Sequence, residues 1–145
     1  MDSLERAKAV FCERDFSKLD EAISSTGDEL ESIDLSTSEA IAIINYFFSR
    51  IHCYSDGRII ENILHVCLRI MNAHQVFSGF DLDGLLPCLG MLNRECSSYV
   101  LTFLGFSGDM KYEAYIEPLL TDEGLRGEAE EALRELRYGA GRREE

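Results

Sequence analysis

Residues 56–72, DGRIIENILHVCLRIMN, constrain the fold more than any other stretch of this chain. Wound as a helix, they put Ile59, Ile60, Ile63, Leu64, Val66, Cys67, Leu68, Ile70 and Met71 over most of the circumference. Arg58, Glu61 or Asn62, His65, Arg69 and Asn72 are left as a thin polar stripe. A helix apolar on most sides is packed on most sides. It is therefore expected to be the inner helix of an all-α domain, with neighbours on both flanks. A chain of 145 residues suffices for one such domain and can bury about 68% of its unfolded surface without disulfides or metals.

The neighbours can be read on either side. Leu4, Ala7, Val10 and Phe11 suit a short amphipathic helix, and Phe16, Leu19, Ala22 and Ile23 suit a second after Asp15. Ser24, Ser25, Thr26 and Gly27 interrupt that pattern, and DELESIDLS at 28–36 reads as an acidic connector. Ser36 and Glu39 match a capping box, so a strong helix starts there and runs to about Cys53. Residues 54–57 then turn, with Asp56 as N-cap of the inner helix, and so short a connection folds the two helices into an antiparallel hairpin. A loop holding Phe77 and Phe80 follows. Helical spacing returns at Leu82, Leu85, Leu86 and Leu89, and again at Cys96, Tyr99, Val100, Phe103 and Leu104. Tyr112, Tyr115, Ile116, Leu119 and Leu120 give another such set, and Leu125, Ala129, Ala132, Leu133 and Leu136 the last. The expectation is eight helices, no strand, and a single domain. Residues 1–35 would hold the first helices and connector, 36–139 the helix pairs, and 140–145 a charged tail.

Catalytic spacings are missing from this pattern. His52 and Cys53 are adjacent and diverge by about 100° on a helix, which does not align a thiol with its base. His65 and Cys67 point to opposite sides of their helix and cannot share a metal unaided. Neither a phosphate-binding glycine loop nor an H-E-x-x-H motif occurs, and Gly57, Gly79, Gly108 and Gly139 read as turn positions. Cys12, Cys53, Cys67, Cys88 and Cys96 are odd in number, lack a Cys-x-x-Cys pair and mostly fall on apolar faces, as reduced core thiols do. The expectation is no catalytic residue, no cofactor, no metal and no enzyme. Apolar runs stop well short of the roughly 18 to 20 residues that span a bilayer. Charges also break up the apolar pattern of residues 1–16, unlike a secretory signal. A soluble, cytoplasmic protein without a membrane partner is expected.

Charge narrows the class of partner. The net is −13, with ten acids against four bases in residues 1–35, six against four in 36–108, and eleven against six in 109–145. Such a field repels phosphate backbones and speeds encounter with basic surfaces. Direct nucleic-acid binding is not expected; a protein with a basic surface is.

The second half of the chain repeats itself. LLPCLGML from Leu85 and YIEPLLTD from Tyr115 each set a proline, Pro87 or Pro118, in an apolar helical pattern. Their partners SSYVLTFLGFSG and AEEALRELRYGA align Val100 with Ala132, Leu101 with Leu133, Leu104 with Leu136 and Phe106 with Tyr138. That period is the length of a helix pair. Cys67, Leu68 and Met71 of the inner helix fall on the positions of Val100, Leu101 and Leu104. With proline in its first helix and Ala-x-x-Ala-Leu-x-x-Leu from Ala129 to Leu136 in its second, the final unit resembles HEAT-repeat proteins. Asp122 and Arg126 loosely echo that family's usual acid and base at the intra-repeat turn, as Asn93 and Arg94 do in the preceding unit. The resemblance implies a short HEAT-like or armadillo-like superhelix of antiparallel hairpins; the alternative is an irregular helical bundle.

In such a superhelix the second helices present polar stripes to a partner. Here these are Glu61, His65 and Arg69 on the inner helix, Glu95, Ser98 and Thr102 on the next, and Glu128, Glu131 and Glu135 on the last. A small, acidic, helical-repeat protein without catalytic motif is similar in class and build to bacterial immunity proteins, several of which are helical or HEAT-like and neutralise a cognate toxin by binding it. That similarity implies a basic toxin as partner; the alternative is an adaptor or regulatory subunit of a larger complex.

Overall fold

The computed structural model describes residues 2–89 and 93–144, with the side chains of 142–144 left aside. It is all-helical, with no strand among the described residues. The α-helices among the described residues are α1 (Ser3–Val10), α2 (Phe16–Ser32), α3 (Thr37–Arg50), α4 (Gly57–His74), α5 (Arg94–Ser107), α6 (Glu113–Ile116) and α7 (Arg126–Glu144), with 3-10 turns between several of them. The chain divides into two compact units, residues 1–76 and 77–145. No helix among the described residues is long and apolar enough to cross a membrane.

In the first unit the helices begin where the sequence provides caps. Glu39 N–H donates to Ser36 Oγ at 3.1 Å, and Ser36 N–H donates to Glu39 Oε1 at 3.2 Å, which is the expected capping box. Asp56 Oδ1 accepts from Arg58 N–H at 2.9 Å and opens α4. This helix is interior, as its composition requires: α2 packs on one flank and α3 on the other, and Ile63, Leu64, Val66, Cys67, Ile70 and Met71 are fully buried. Leu68 is only half-buried. The helix runs two residues past Asn72 and ends at Gln75, which takes the left-handed conformation (φ 54°).

α2 departs from the sequence reading. Residues 24–27 do not break it, and the helix continues to Ser32 through most of the stretch read as a connector. Four polar or small residues in a row have weak helix propensity, but tertiary packing overrides it. Leu19, Ile23, Gly27 and Leu30 keep one buried stripe at helical spacing. Gly27 lies against Val66, where a Cβ would come within 2.9 Å of Val66 Cγ2. The glycine therefore serves a close helix contact rather than a turn.

Polar groups continue that seam. Asn62 Nδ2 donates toward Asp20 Oδ1 (2.9 Å), Asp20 O (3.1 Å) and Ser24 Oγ (3.0 Å). Arg69 pairs with Asp28 at 2.5 Å and also with Glu31, and His74 Nε2 donates to the Leu30 carbonyl at 2.7 Å. Because partners advance together along both helices, α2 and α4 run parallel. α1 likewise packs on α3 as well as on α2. The unit is two hairpins side by side, first helix against first and second against second.

The second unit builds its proline segments differently from expectation. Pro87 lies in a 3-10 turn (Asp83–Cys88) and Pro118 in another (Glu117–Thr121), rather than in α-helices. Proline lacks an N–H and clashes with the carbonyl four residues back, so it favours short tight turns. Residues 90–92, the end of the first proline segment, lie outside the described residues. The expected helix at 112–120 is the 3-10 turn Met110–Tyr112, the single-turn α6 and the turn Glu117–Thr121. The loop aromatics are tied down: Phe77 meets Phe106 edge-on at 5.1 Å, and Phe77 and Phe80 are both half-buried.

α5 and α7 form the main packing of this unit and also run parallel, with Gly105 against Ala132 and Gly108 against Gly139. Gly108 caps α5 at φ 63°. Gly139, read as a turn, lies inside α7, and the residues from 140 expected as a tail continue the helix to Glu144. Gly57 likewise is the first residue of α4. The small residues permit backbone approach: a Cβ on Gly139 would sit 3.0 Å from Gly108 Cα.

Candidate partner-binding groove

α5 and α7 carry two of the three polar stripes. Asn93 caps α5 by accepting from Cys96 N–H at 2.9 Å, which starts the helix so that Cys96, Val100, Leu101, Phe103 and Leu104 are buried. Asp122 Oδ1 accepts from Gly124 N–H at 2.9 Å and turns the chain toward α7. There Leu125, Ala129, Ala132, Leu133 and Leu136 are buried and Glu128, Glu131 and Glu135 are exposed. The spacing of these three acids is one helical face.

A cavity of about 400 Å³ runs between the two helices. The buried Gly105 and Ala132 line its floor side, Phe106 and Thr102 come from α5, and the exposed Gly127, Glu128, Glu131 and Glu135 form the rim of α7. Thr102 spends its hydroxyl proton on the Ser98 carbonyl at 3.0 Å, which leaves the oxygen as an acceptor. Glu131 pairs with Arg134, and Glu130 with Arg126 at 3.1 Å. Glu131 holds the Arg134 guanidinium above its ordinary pKa, by a hydrogen bond first and by charge second.

The structure thus brings four of the nine expected site residues to one groove: Thr102, Glu128, Glu131 and Glu135. Glu95 is exposed in the first turn of α5 and Ser98 is half-buried; neither lines the cavity. In the first unit His65 is exposed and Glu61 half-buried. Arg69 is engaged by Asp28 and Glu31, whose hydrogen bonds raise its pKa, and it therefore joins α2 to α4 instead of presenting a charge. Sequence reasoning missed Gly105, Phe106, Gly127 and Ala132. A mid-helix glycine such as Gly105, with no turn around it, is the signal of close backbone approach.

A second cavity of about 620 Å³ in the same unit is lined by Asp83, Leu86, Pro87, Lys111, Tyr112 and Tyr115. Tyr112 O–H donates to Asp83 Oδ1 at 2.9 Å, and Lys111 Nζ stands 3.4 Å from the same oxygen. The Tyr112 hydrogen bond, with Lys111 beside it, holds the Asp83 carboxyl below the usual range. Burial first, and Asp83 second, push the Tyr112 phenol up to about 12. This phenol stays protonated and donates; it is no base near neutral pH.

His65 and Cys67 point apart, one exposed and one buried. Among the described residues no group of three His, Cys, Asp or Glu side chains is placed to hold a metal ion. No protein family matches the chain, and neither a characterised protein nor a solved structure does.

Proposed function

We propose that this protein is a non-catalytic protein-binding module that captures a partner with a basic surface along the α5–α7 groove. One observation carries the reading: Glu128, Glu131 and Glu135 stand exposed on one helical face beside a cavity floored by Gly105 and Ala132. Apolar walls give such a groove contact area, and the acidic rim speeds encounter and selects against acidic competitors. The net charge of −13 works in the same direction over longer range. Parallel second helices in both units favour a HEAT-like build, in which those helices carry the partner face. Neutralisation of a basic toxin, as by an immunity protein, is the form of capture that suits so acidic a chain; adaptor service in a complex is the alternative.

Tagged protein is compared with Glu131→Lys/Glu135→Lys for partners recovered from native lysate at low and moderate salt. The reading expects a basic protein that is lost on charge reversal and released as salt rises, while helicity and melting are unchanged. Identical recovery by both forms moves the interface off this groove. Adding the chain to the purified partner then separates the two forms of capture: a toxin loses its activity on binding, whereas a subunit of a complex keeps its own.

A further inference from the structure

The cavity lined by Asp83, Leu86, Pro87, Lys111, Tyr112 and Tyr115 has a polar end and an apolar wall. At the polar end Tyr112 O–H and Lys111 Nζ both act on Asp83 Oδ1, at 2.9 Å and 3.4 Å. Oδ2 receives neither, and the Asp83 side chain is 62% exposed, so one oxygen of an ionised carboxylate stays open to a donor. Lys111 is spent within the site: its Nζ also stands 4.0 Å from Asp109 Oδ2 and 5.0 Å from the centre of the Tyr112 ring. Two carboxylates share one ammonium, which leaves negative charge over. Asp81 and Glu117, next along the same two segments, add to it. The wall is Leu86, the exposed Pro87 and Tyr115, whose ring is half open to solvent.

We infer that this cavity seats an arginine side chain of a partner polypeptide, with the guanidinium donating to Asp83 Oδ2 and stacked on Tyr115, and the stem against Leu86 and Pro87. A guanidinium suits both parts of the cavity. Planar, weakly hydrated and always charged, it lies on an aromatic face while its N–H groups bond a carboxylate. An ammonium is a compact, strongly hydrated charge and gains less from the wall. A metal ion is poorly served, because among the described residues no three His, Cys, Asp or Glu side chains gather to hold one. An anion meets surplus acid. The volume of about 620 Å³ takes a long side chain, and the cavity shares no lining residue with the α5–α7 groove, so the two sites stand or fall separately.

Isotope-labelled protein is titrated with N-acetyl-arginine amide and followed by its amide resonances. Saturable shifts are expected within residues 83–88 and 111–115. The lysine analogue should bind about two- to fivefold more weakly, the worth of one exposed cation–π contact, and Tyr115→Ala should erase that difference. The citrulline analogue, planar but neutral, should not saturate. Asp83→Asn should abolish binding, while Asp81→Asn, the same charge change outside the cavity lining, should leave most of it. Lys111→Gln, which keeps the Tyr112 contact, should tighten binding by uncovering Asp83. Free arginine, whose α-carboxylate meets the local acids, should bind less well than the capped amide. Like shifts from the arginine, lysine and citrulline compounds, equal losses in Asp81→Asn and Asp83→Asn, or weaker binding by Lys111→Gln overturns the inference. Tighter binding of free arginine overturns the polypeptide source.

Discussion

Gly27→Ala tests the contact that overrode local propensity in α2. A methyl there would lie 2.9 Å and 3.0 Å from the two γ-carbons of Val66, against about 3.5 to 4.0 Å for carbons at ease. Neither side has room: Gly27 is buried and Val66 is 0% exposed. A β-branched residue in a helix has one strongly preferred rotamer, so Val66 cannot swing aside and the helices must separate. Overpacking of this kind costs about 1 to 3 kcal/mol. Alanine in place of a mid-helix glycine returns about 1 kcal/mol. The net expectation is a loss of about 1 kcal/mol. Val66→Ala removes the obstruction and by itself costs about 2 kcal/mol in buried methyls. In that background the new methyl fills the space left behind, so Gly27→Ala should stabilise by about 1 kcal/mol. The sign reverses between backgrounds, with a coupling of about 2 kcal/mol. Urea unfolding followed by far-UV circular dichroism on all four proteins measures it. A gain of similar size in both backgrounds would falsify the close approach of α2 and α4.

The inner helix offers a graded test. Leu64→Ala should cost about 2 to 5 kcal/mol, as fully buried leucines do, and Leu68→Ala, at a half-buried position, less than about 2; equal losses in denaturant titrations would contradict the packing described. For Tyr112, a phenol raised in the fold favours its neutral form. The stability this contributes is fully present below about pH 10 and is lost as pH rises through about 12. Ultraviolet titration should show a late phenolate step that Tyr112→Phe removes and Asp83→Ala moves part of the way down, since burial remains. A late step untouched by Tyr112→Phe would assign it to another tyrosine.

Much of the fold was legible because its signals are local. The Ser36–Glu39 box and the Asp56 cap are written in three or four adjacent residues, and each appears where its spacing puts it. The apolar girth of α4 announces neighbours without naming them. What failed to show was anything decided by a neighbour's surface. Residues 24–27 read as a break because propensity knows nothing of Val66. Asn62 and Arg69 read as part of an open polar stripe, although their partners Ser24, Asp28 and Glu31 lie in the stretch read as a break and connector. The proline segments carry helical spacing, yet a missing N–H decides for 3-10 turns. Of the candidate groove, the acids were legible from their periodicity, but its floor depends on how closely two helices approach.

The parallel run of α2 and α4 has an electrostatic consequence. Antiparallel neighbours cancel their macrodipoles; parallel ones gather both N-termini, each equivalent to about half a positive charge, at one end. Asp15 and Asp56 are the caps of those two termini: the Asp15 carboxylate accepts the Ser17 and Lys18 N–H groups, and the Asp56 carboxylate that of Arg58. The two aspartates therefore do more than start their helices. Together they supply the negative charge that lets two aligned dipoles lie side by side at one end of the unit.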